Sequence, residues 1–244
     1  VASIALGNYR ATGRIQIFML GCGVLAFGVG GFLAAMVRGL PGGANLNVTI
    51  YNTGALLGAA FHFIAAFILI AGISPQAGFR RRDTWLLLGY GVSLAFMGVL
   101  TASSLAGLTP VFFVQGAGPT LVRQVVLGAA DILFAFSFVV FLGTFLRNRE
   151  VFLYWYACAL ALTAISLTGF FVQSSVGSAV GWVGRLSQYV GGAYFLASIV
   201  AAGRVAESRG ISLDNVLTSS LSGVEETFRA LAENIPDVIR RFDR

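Results

Sequence analysis

Two arginines stand inside apolar stretches of the chain, where a charge is costly unless it faces a protein interior or a cavity. Arg123 and Arg185 each lie one helical turn or less from the outer end of such a stretch. Their guanidinium groups can donate hydrogen bonds to an anionic or carbonyl-bearing ligand. We therefore expect an outward-facing cavity that holds these arginines, with further hydrogen-bonding groups and an apolar lid supplied by Gln124, Gln188, Tyr189, Phe112 and Phe113. The alternative is that the arginines extend to lipid headgroups and the phenylalanine pair anchors the membrane interface.

A histidine and an aspartate lie near the middle of two apolar stretches. His62 is the single histidine of the chain, and its spacing places it on a helix face with Gly54, Gly58 and Ala66. A rise of about 1.5 Å per residue places His62 and Asp131 at similar depth, so the two side chains could pair. Two roles stay open for this pair: a buried structural pair that sets the helix register, or a pH-sensitive switch.

Missing residue types exclude several kinds of membrane protein. All sixteen cationic side chains are arginine, which excludes a retinal photoreceptor because that protein needs a lysine. A single histidine excludes a haem held by two histidines of one chain. Cys22 and Cys158 lie in separate apolar stretches and are expected to be small core residues. No two of the cysteines and the histidine share a helix at ligand spacing, so copper is disfavoured. We predict no metal, no cofactor and no enzymatic activity for this chain.

The composition is that of a membrane protein. Hydrophobic residues make up 57% of the chain and charged residues only 11%, whereas soluble domains are about one quarter charged. A membrane-spanning helix needs about 20 apolar residues. Six stretches qualify, and they predict an all-α, six-helix transmembrane bundle: residues 15–37, 48–73, 84–106, 121–146, 151–172 and 182–202.

The arginines orient these spans. They precede the first span, separate the second from the third and the fourth from the fifth, and follow the sixth; the other connections hold only Arg38 or no charge. Cytoplasmic connections are enriched in basic residues, so we expect both chain ends in the cytoplasm and the protein in the cytoplasmic (inner) membrane. We attribute the net charge of +6 to loops that face anionic lipid, not to nucleic-acid binding.

A polar helix is predicted after the last span. Its apolar residues recur in steps of four and three, which is the spacing of a coiled-coil seam, at Leu217, Leu221, Val224, Phe228 and Leu231. Two interpretations stay open. The segment forms either a parallel two-chain helix, which makes the protein a homodimer, or a single amphipathic helix that packs on its own domain.

Residues 225–244 contain a helix pattern of the type E-x-x-F-R-A-L-x-E-N, which residues 228–231, 233 and 234 match. A strand pattern of the type D-V-I-x-R-F-D follows and is matched by residues 237–239 and 241–243. This succession resembles the opening of a PAS domain. The resemblance implies that the parent is a bacterial or archaeal signalling protein with a PAS domain and then an output domain such as a histidine kinase or a diguanylate cyclase.

Three stretches of the membrane part carry a second resemblance. The first is His62 between two phenylalanines. The second is Pro-Val-Phe-Phe at 110–113, followed by Gly-Ala-Gly-Pro-Thr at 116–120 and by Arg123. The third is residues 181–189, with Gly184 directly before Arg185. Together they resemble the membrane-associated sensor domains of the third type, which precede PAS and kinase modules. In that family a leucine is usual at the position of Pro119. The resemblance implies a sensory input role.

These expectations divide the chain into four segments: a cytoplasmic N-terminal segment (1–14), a six-span sensor domain (15–203), a linker helix (204–235) and the start of a PAS domain (236–244). The expected function is detection of a membrane-associated or periplasmic stimulus, with an amphiphilic or anionic small molecule as ligand. The signal would pass through the last span and the linker to the downstream domains. The alternative is a small transporter or channel-like protein, which would need a continuous polar path.

Overall fold

The structure, a computed structural model, describes residues 1–73, 76–78, 81–173 and 178–221. A small hairpin interrupts an otherwise helical chain. The elements are α1 (Ala2–Thr12), α2 (Ile15–Val37), α3 (Gly43–Ile70), α4 (Arg82–Leu86), a π-helical turn (Leu87–Gly91), α5 (Val92–Leu105), β1 (Phe113–Val114), β2 (Gly118–Pro119), α6 (Leu121–Asn148), α7 (Val151–Val172), α8 (Ala179–Arg209) and α9 (Leu213–Leu221).

The predicted number of membrane spans is confirmed. Within the described ranges, six helices are long and apolar enough to cross a membrane: α2, α3, the run from α4 to α5, α6, α7 and α8. The first and fifth spans have the predicted bounds. By contrast, α3 already begins at Gly43 and α8 continues to Arg209, because these helices extend beyond their apolar parts. This is the architecture of a multi-pass membrane protein.

Glycines bring α2 and α3 into close contact. A Cβ atom built on Gly30 would lie 2.9 Å from the Cα atom of Gly54, and one built on Gly58 would lie 3.0 Å from the carbonyl oxygen of Gly23. Small residues allow helix backbones to approach closely in lipid, so these glycines determine the distance between the two helices. His62 lies on the same face, and its ring packs against Gly23.

A second glycine contact holds α8 against α7. A Cβ atom built on Gly169 would lie 3.1 Å from the Cα atom of Gly184, and one built on Gly191 would lie 3.3 Å from the carbonyl oxygen of Ala159. Helix α6 packs between α3 and α7. In the described part of the chain, α8 packs closely on α7 and α9 but not on α2. The row α2, α3, α6, α7, α8 therefore leaves a gap between its first and last helices.

One end of the bundle, which we call the arginine end, carries α1, α9 and the start of α4. The predicted N-terminal segment is helical there and packs on α2. Arg82 donates from Nη1 to the carbonyl oxygens of Arg10 and Ala11, both at 2.8 Å, and so supplies partners for the last turn of α1. Arg209 at the end of α8 lies 3.4 Å from Glu150. The hairpin lies at the opposite end, which we call the hairpin end.

Helix α9 packs on its own bundle. The side-chain nitrogen of Asn8 donates to Asp214 at 2.8 Å, and Leu217 and Leu221 are only 3% and 2% exposed within the main hydrophobic core. Of the two interpretations of the tail, packing on the same chain therefore applies to these two leucines. The homodimer predicted through this seam stays a prediction. The other predicted seam residues and the predicted PAS segment lie outside the described residues: Val224, Phe228, Leu231 and 236–244.

Candidate ligand-binding cavity

A cavity of about 1080 Å³ occupies the gap between α2 and α8. Its walls come from the second half of α2, the first turns of α3, the hairpin, the start of α6, the end of α7 and the first half of α8, together with Val1 just before α1. Most of this wall belongs to the hairpin end of the bundle. Pockets that hold drug-sized ligands measure about 300–1,000 Å³, so this cavity is large enough for a small molecule.

Five of the seven residues predicted to bind a ligand line this cavity: Arg123, Arg185, Gln188, Tyr189 and Phe113. The other two, Gln124 and Phe112, are not among its lining residues. Adjacent helical residues point about 100° apart, since a turn holds about 3.6 residues. Gln124 is therefore turned about 100° from Arg123 around the axis of α6.

Arg123 is the charged side chain most deeply set in the cavity wall, with 6% of its surface exposed. Thr120 caps α6 by accepting a hydrogen bond from the Arg123 backbone nitrogen at 3.4 Å. The Nη2 atom donates to the carbonyl oxygen of Phe170 at 2.8 Å, in the last turn of α7, where carbonyl groups lack helical partners. The buried Nε atom has no hydrogen-bond partner in the described chain. This donor, and the positive charge, are left for a ligand to satisfy.

A second unpaired donor lies in the same wall. Asn52 of α3 lines the cavity, is 3% exposed, and its side-chain nitrogen has no hydrogen-bond partner among the described residues. Asn52 was not among the predicted site residues, because it is not ionisable and lies far from both arginines in the sequence. A lone amide inside an apolar span was the signal that could have identified it, since such groups are usually turned inward.

Helix α8 supplies a second positive charge and the boundary of the cavity. The guanidinium carbon of Arg185 lies 5.7 Å from the centre of the Trp182 ring, a distance at which the ring attracts the cation. The Nε2 atom of Gln188 lies 4.0 Å from the Cβ position built on Gly31 of α2, so this side chain reaches across the gap. Tyr189 lines the cavity but is 66% exposed, which places it at an opening.

The hairpin covers the cavity with one of the two predicted phenylalanines. Phe113 lines the cavity, whereas Phe112 is buried elsewhere. Asn45 of α3 holds both, because its side-chain oxygen accepts from the backbone nitrogens of Phe112 and Phe113 at 2.8 and 3.0 Å. The Thr120 hydroxyl donates to the carbonyl oxygen of Val111 at 2.7 Å. The lid is therefore fixed to both α3 and α6.

His62 and Asp131, which could have paired, bond to different partners. His62 bonds to Tyr156, and Asp131 accepts from Thr168 at 2.7 Å. These two partners are twelve residues apart on α7, about 18 Å along the helix. The physical reason is the true start of α3 at Gly43, which places His62 further from the hairpin end than the predicted span did.

His62 belongs to an aromatic cluster that forms the floor of the cavity. Phe195 lines the cavity and packs edge-on against Tyr156, with ring centres 5.0 Å apart. The Nδ1 atom of His62 lies 2.7 Å from the carbonyl oxygen of Gly58 and its Nε2 atom 2.9 Å from the Tyr156 hydroxyl. A carbonyl only accepts, so Nδ1 carries the proton and Nε2 accepts from the hydroxyl. Both ring nitrogens of a neutral imidazole therefore have hydrogen-bond partners. This favours a structural role for His62 over a role as a pH-sensitive switch.

The described residues contain no group of three or more His, Cys, Asp or Glu side chains that could hold a metal ion. The chemistry of the cavity is therefore that of arginine, amide and aromatic side chains. Comparison with known proteins adds no assignment: no family model, curated protein or solved structure matches this chain.

Proposed function

We propose that this chain is a membrane-embedded sensory input domain, in which the state of the cavity is relayed through α8 to the linker. The observation that carries the proposal is the course of α8. Its first half lines the cavity, its second half is buried in the core, and it runs without interruption from Ala179 to Arg209. Its 31 residues correspond to about 46 Å, enough to connect both membrane surfaces.

The attachment of α9 supports the relay. Gly210 ends α8 in a left-handed conformation with φ of 62°, and α9 then packs back on α1, α7 and α8. A change in the position of α8 must therefore disturb the contacts that hold α9. A relay of this kind requires two arrangements whose affinity for the stimulus differs.

The orientation that we propose has the arginine end in the cytoplasm, with both chain ends inside. Basic connections favour the cytoplasmic side, and Arg82, Arg149 and Arg209 lie at the ends of helices that meet α1 or α9. The cavity would then open toward the outer half of the membrane. The resemblance of residues 225–244 to a PAS opening supports a downstream PAS domain and output domain in the parent protein, with dimerisation through the linker.

The aromatic floor argues against the transporter or channel alternative. Phe195, Tyr156, Phe134 and His62 pack together directly below the cavity, with the rings of His62 and Phe134 5.3 Å apart. The lining residues nearest the arginine end, Val1, Val24 and Phe195, are also apolar, so the described wall offers no polar path in that direction. A receptor cavity closed on one side requires no such path.

Spin-label distances can test the relay without a known ligand. Labels would be attached to Ala11→Cys on α1 and Asn215→Cys on α9, both exposed positions, in a chain that also carries Cys22→Ala and Cys158→Ala. The change in the cavity is Gly192→Leu, because Gly192 lines the cavity and a Cβ atom there meets nothing within 4 Å. The matched control is Gly203→Leu on the same helix, which is equally unobstructed and lies outside the cavity wall.

If the proposal is correct, filling the cavity changes the distance distribution between the labels and the control leaves it unchanged. Identical distributions in all three proteins would contradict the relay.

Reconstituted vesicles provide the second readout. A flux of small anions or protons through the chain alone would favour the transporter class and overturn the sensor proposal.

A further inference from the structure

We infer that the cavity binds a single-tailed anionic amphiphile, of the long-chain carboxylate class, that enters sideways from the bilayer between α2 and α8. This inference names the ligand class of the proposed sensor and rests on that proposal only for the biological role of binding. The binding itself is argued from charge, from depth and from the position of the opening.

The charge of the cavity selects an anion. Arg38, Arg123 and Arg185 all line it, and among the described lining residues none is acidic. The Nε atom of Arg123 and the side-chain nitrogen of Asn52 are buried donors without partners in the described chain. Buried donors without partners are costly, and an ionised carboxylate accepts several hydrogen bonds at once. A carboxylate between these residues would satisfy both donors and neutralise part of the positive charge.

The depth of the cavity requires an apolar tail. The lining residues of α2 extend from Arg38 to Val24, fourteen residues or about 21 Å along the helix. Below the arginines the wall is apolar, with Val24 and Phe27 on α2 and Phe195 on α8. One leaflet of the hydrocarbon core is about 15 Å thick, half of about 30 Å. The cavity can therefore take a tail of the length that lipids of one leaflet carry.

One opening of the cavity faces the side of the bundle. Gly28 and Ala35 on α2, and Tyr189 and Gly192 on α8, line the cavity and are exposed there. The other exposed lining residues lie at the hairpin end: Arg38, Ala44, Gly116 and Pro119. Gly28 and Gly192 lie in the interior of spans, at depths where the surroundings of the bundle are lipid. Gln188 reaches across from α8 there, since its Nε2 atom lies 4.0 Å from the Cβ position of Gly31 on α2. A ligand that is already in the membrane can reach the arginines by this route without leaving the hydrocarbon region.

Equilibrium binding to the purified chain in nanodiscs of zwitterionic lipid tests this inference. The probes are palmitate, the corresponding fatty alcohol hexadecanol, and acetate. We expect saturable binding of palmitate at one site per chain, much weaker binding of hexadecanol, and no displacement of palmitate by millimolar acetate. Arg123→Gln and Arg185→Gln should each weaken palmitate binding about ten- to hundredfold, which corresponds to the loss of one charged hydrogen bond. Gly192→Leu should abolish binding, and Gly203→Leu should leave it unchanged.

Several results would overturn the inference. Equal affinity for palmitate and hexadecanol, or wild-type affinity in both arginine variants, would remove the role of charge. Displacement by acetate would show that the tail is unnecessary. Equal losses in Gly192→Leu and Gly203→Leu would place binding outside the cavity. Circular dichroism and gel filtration of each variant identify those that fail to fold, and the glycine pair keeps the test independent of Arg123. Palmitate binding without any change in the spin-label distances would instead contradict the relay, and the inferred ligand class would still stand.

Discussion

The Nε2 atom of His62 lies 2.9 Å from the hydroxyl oxygen of Tyr156, and this hydrogen bond joins α3 to α7 beneath the cavity. Both side chains are 1% exposed, so neither has water as an alternative partner. Phe134 and Phe195 pack on the same imidazole, with ring centres 5.3 and 5.9 Å away. A polar contact enclosed by aromatic rings in this way fixes the positions of four helices relative to one another: α3, α6, α7 and α8.

Tyr156→Phe should destabilise the bundle by about 1–3 kcal/mol, the cost of leaving a buried acceptor without its donor. The ring remains, so the aromatic packing is retained and the loss reports the hydroxyl alone. The measurement is the unfolding midpoint in detergent. Tyr194→Phe is the matched control, because the Tyr194 hydroxyl makes no hydrogen bond to another described residue and its ring contact with Trp155 survives. Equal midpoints for the two variants would show that the His62 contact contributes nothing.

Gly30→Ala should separate α2 from α3. The new methyl group would lie 2.9 Å from the Cα atom of Gly54, so backbone must move, and overpacking of this kind costs about 1–3 kcal/mol. Gly28→Ala is the control on the same helix, where a Cβ atom meets nothing within 4 Å. Unfolding midpoints of the two variants test the prediction. It fails if Gly28→Ala is the more damaging change.

Asn45→Ala should release the hairpin. The Asn45 side-chain oxygen is the acceptor for the backbone nitrogens of Phe112 and Phe113, so both amides lose their partner. Hydrogen–deuterium exchange should then be faster at these two positions. Asn47→Ala removes a different bond at the same end of α3, from Asn47 to the carbonyl oxygen of Ala34 at 2.8 Å, and should leave the hairpin amides protected. Unchanged exchange in Asn45→Ala would mean that the hairpin is held by other contacts.

Leu217→Ala should destabilise a single chain by about 2–5 kcal/mol, as removal of a buried leucine side chain does. Ile211→Ala, at a position that is 40% exposed, should change stability by less than about 0.5 kcal/mol. Unfolding midpoints and the molar mass of the purified chain should be measured together. A leucine variant of normal stability that has lost a dimer would contradict the packing of α9 on its own bundle and support the seam.

The membrane spans and five residues of the cavity wall could be predicted from the sequence for the same physical reason. Apolar length is required to cross a bilayer, and a charge inside such a length must face inward. Arg123 and Arg185 could be found in this way because their cost in lipid does not depend on the fold. The burial of α1 was not predictable, since only half of residues 1–14 are hydrophobic and their contacts come from distant parts of the chain.

The depth of a residue within the bundle, measured along its helix, could not be predicted from the sequence. The polar first turns of α3 before Val48 carry no apolar signal, so the start of the helix was placed too late and His62 was assigned to the level of Asp131. The docking of α9 was hidden for a different reason. A leucine repeat has the same spacing whether its partner is a second chain or its own bundle, so the burial of Leu217 and Leu221 and the contact between Asn8 and Asp214 could not be predicted from it.

The part of α8 between the aromatic floor and the arginine end is longer than the part between the floor and Arg185. Phe195, its contact with the floor, lies ten residues after Arg185 and fourteen residues before Arg209, or about 15 and 21 Å along the axis. If the helix tilts about this contact as a rigid rod, its lower arm is the longer one. A displacement of about 1 Å at the arginine in the cavity then becomes about 1.4 Å at the far end, so the helix enlarges a small movement at the point where α9 is attached.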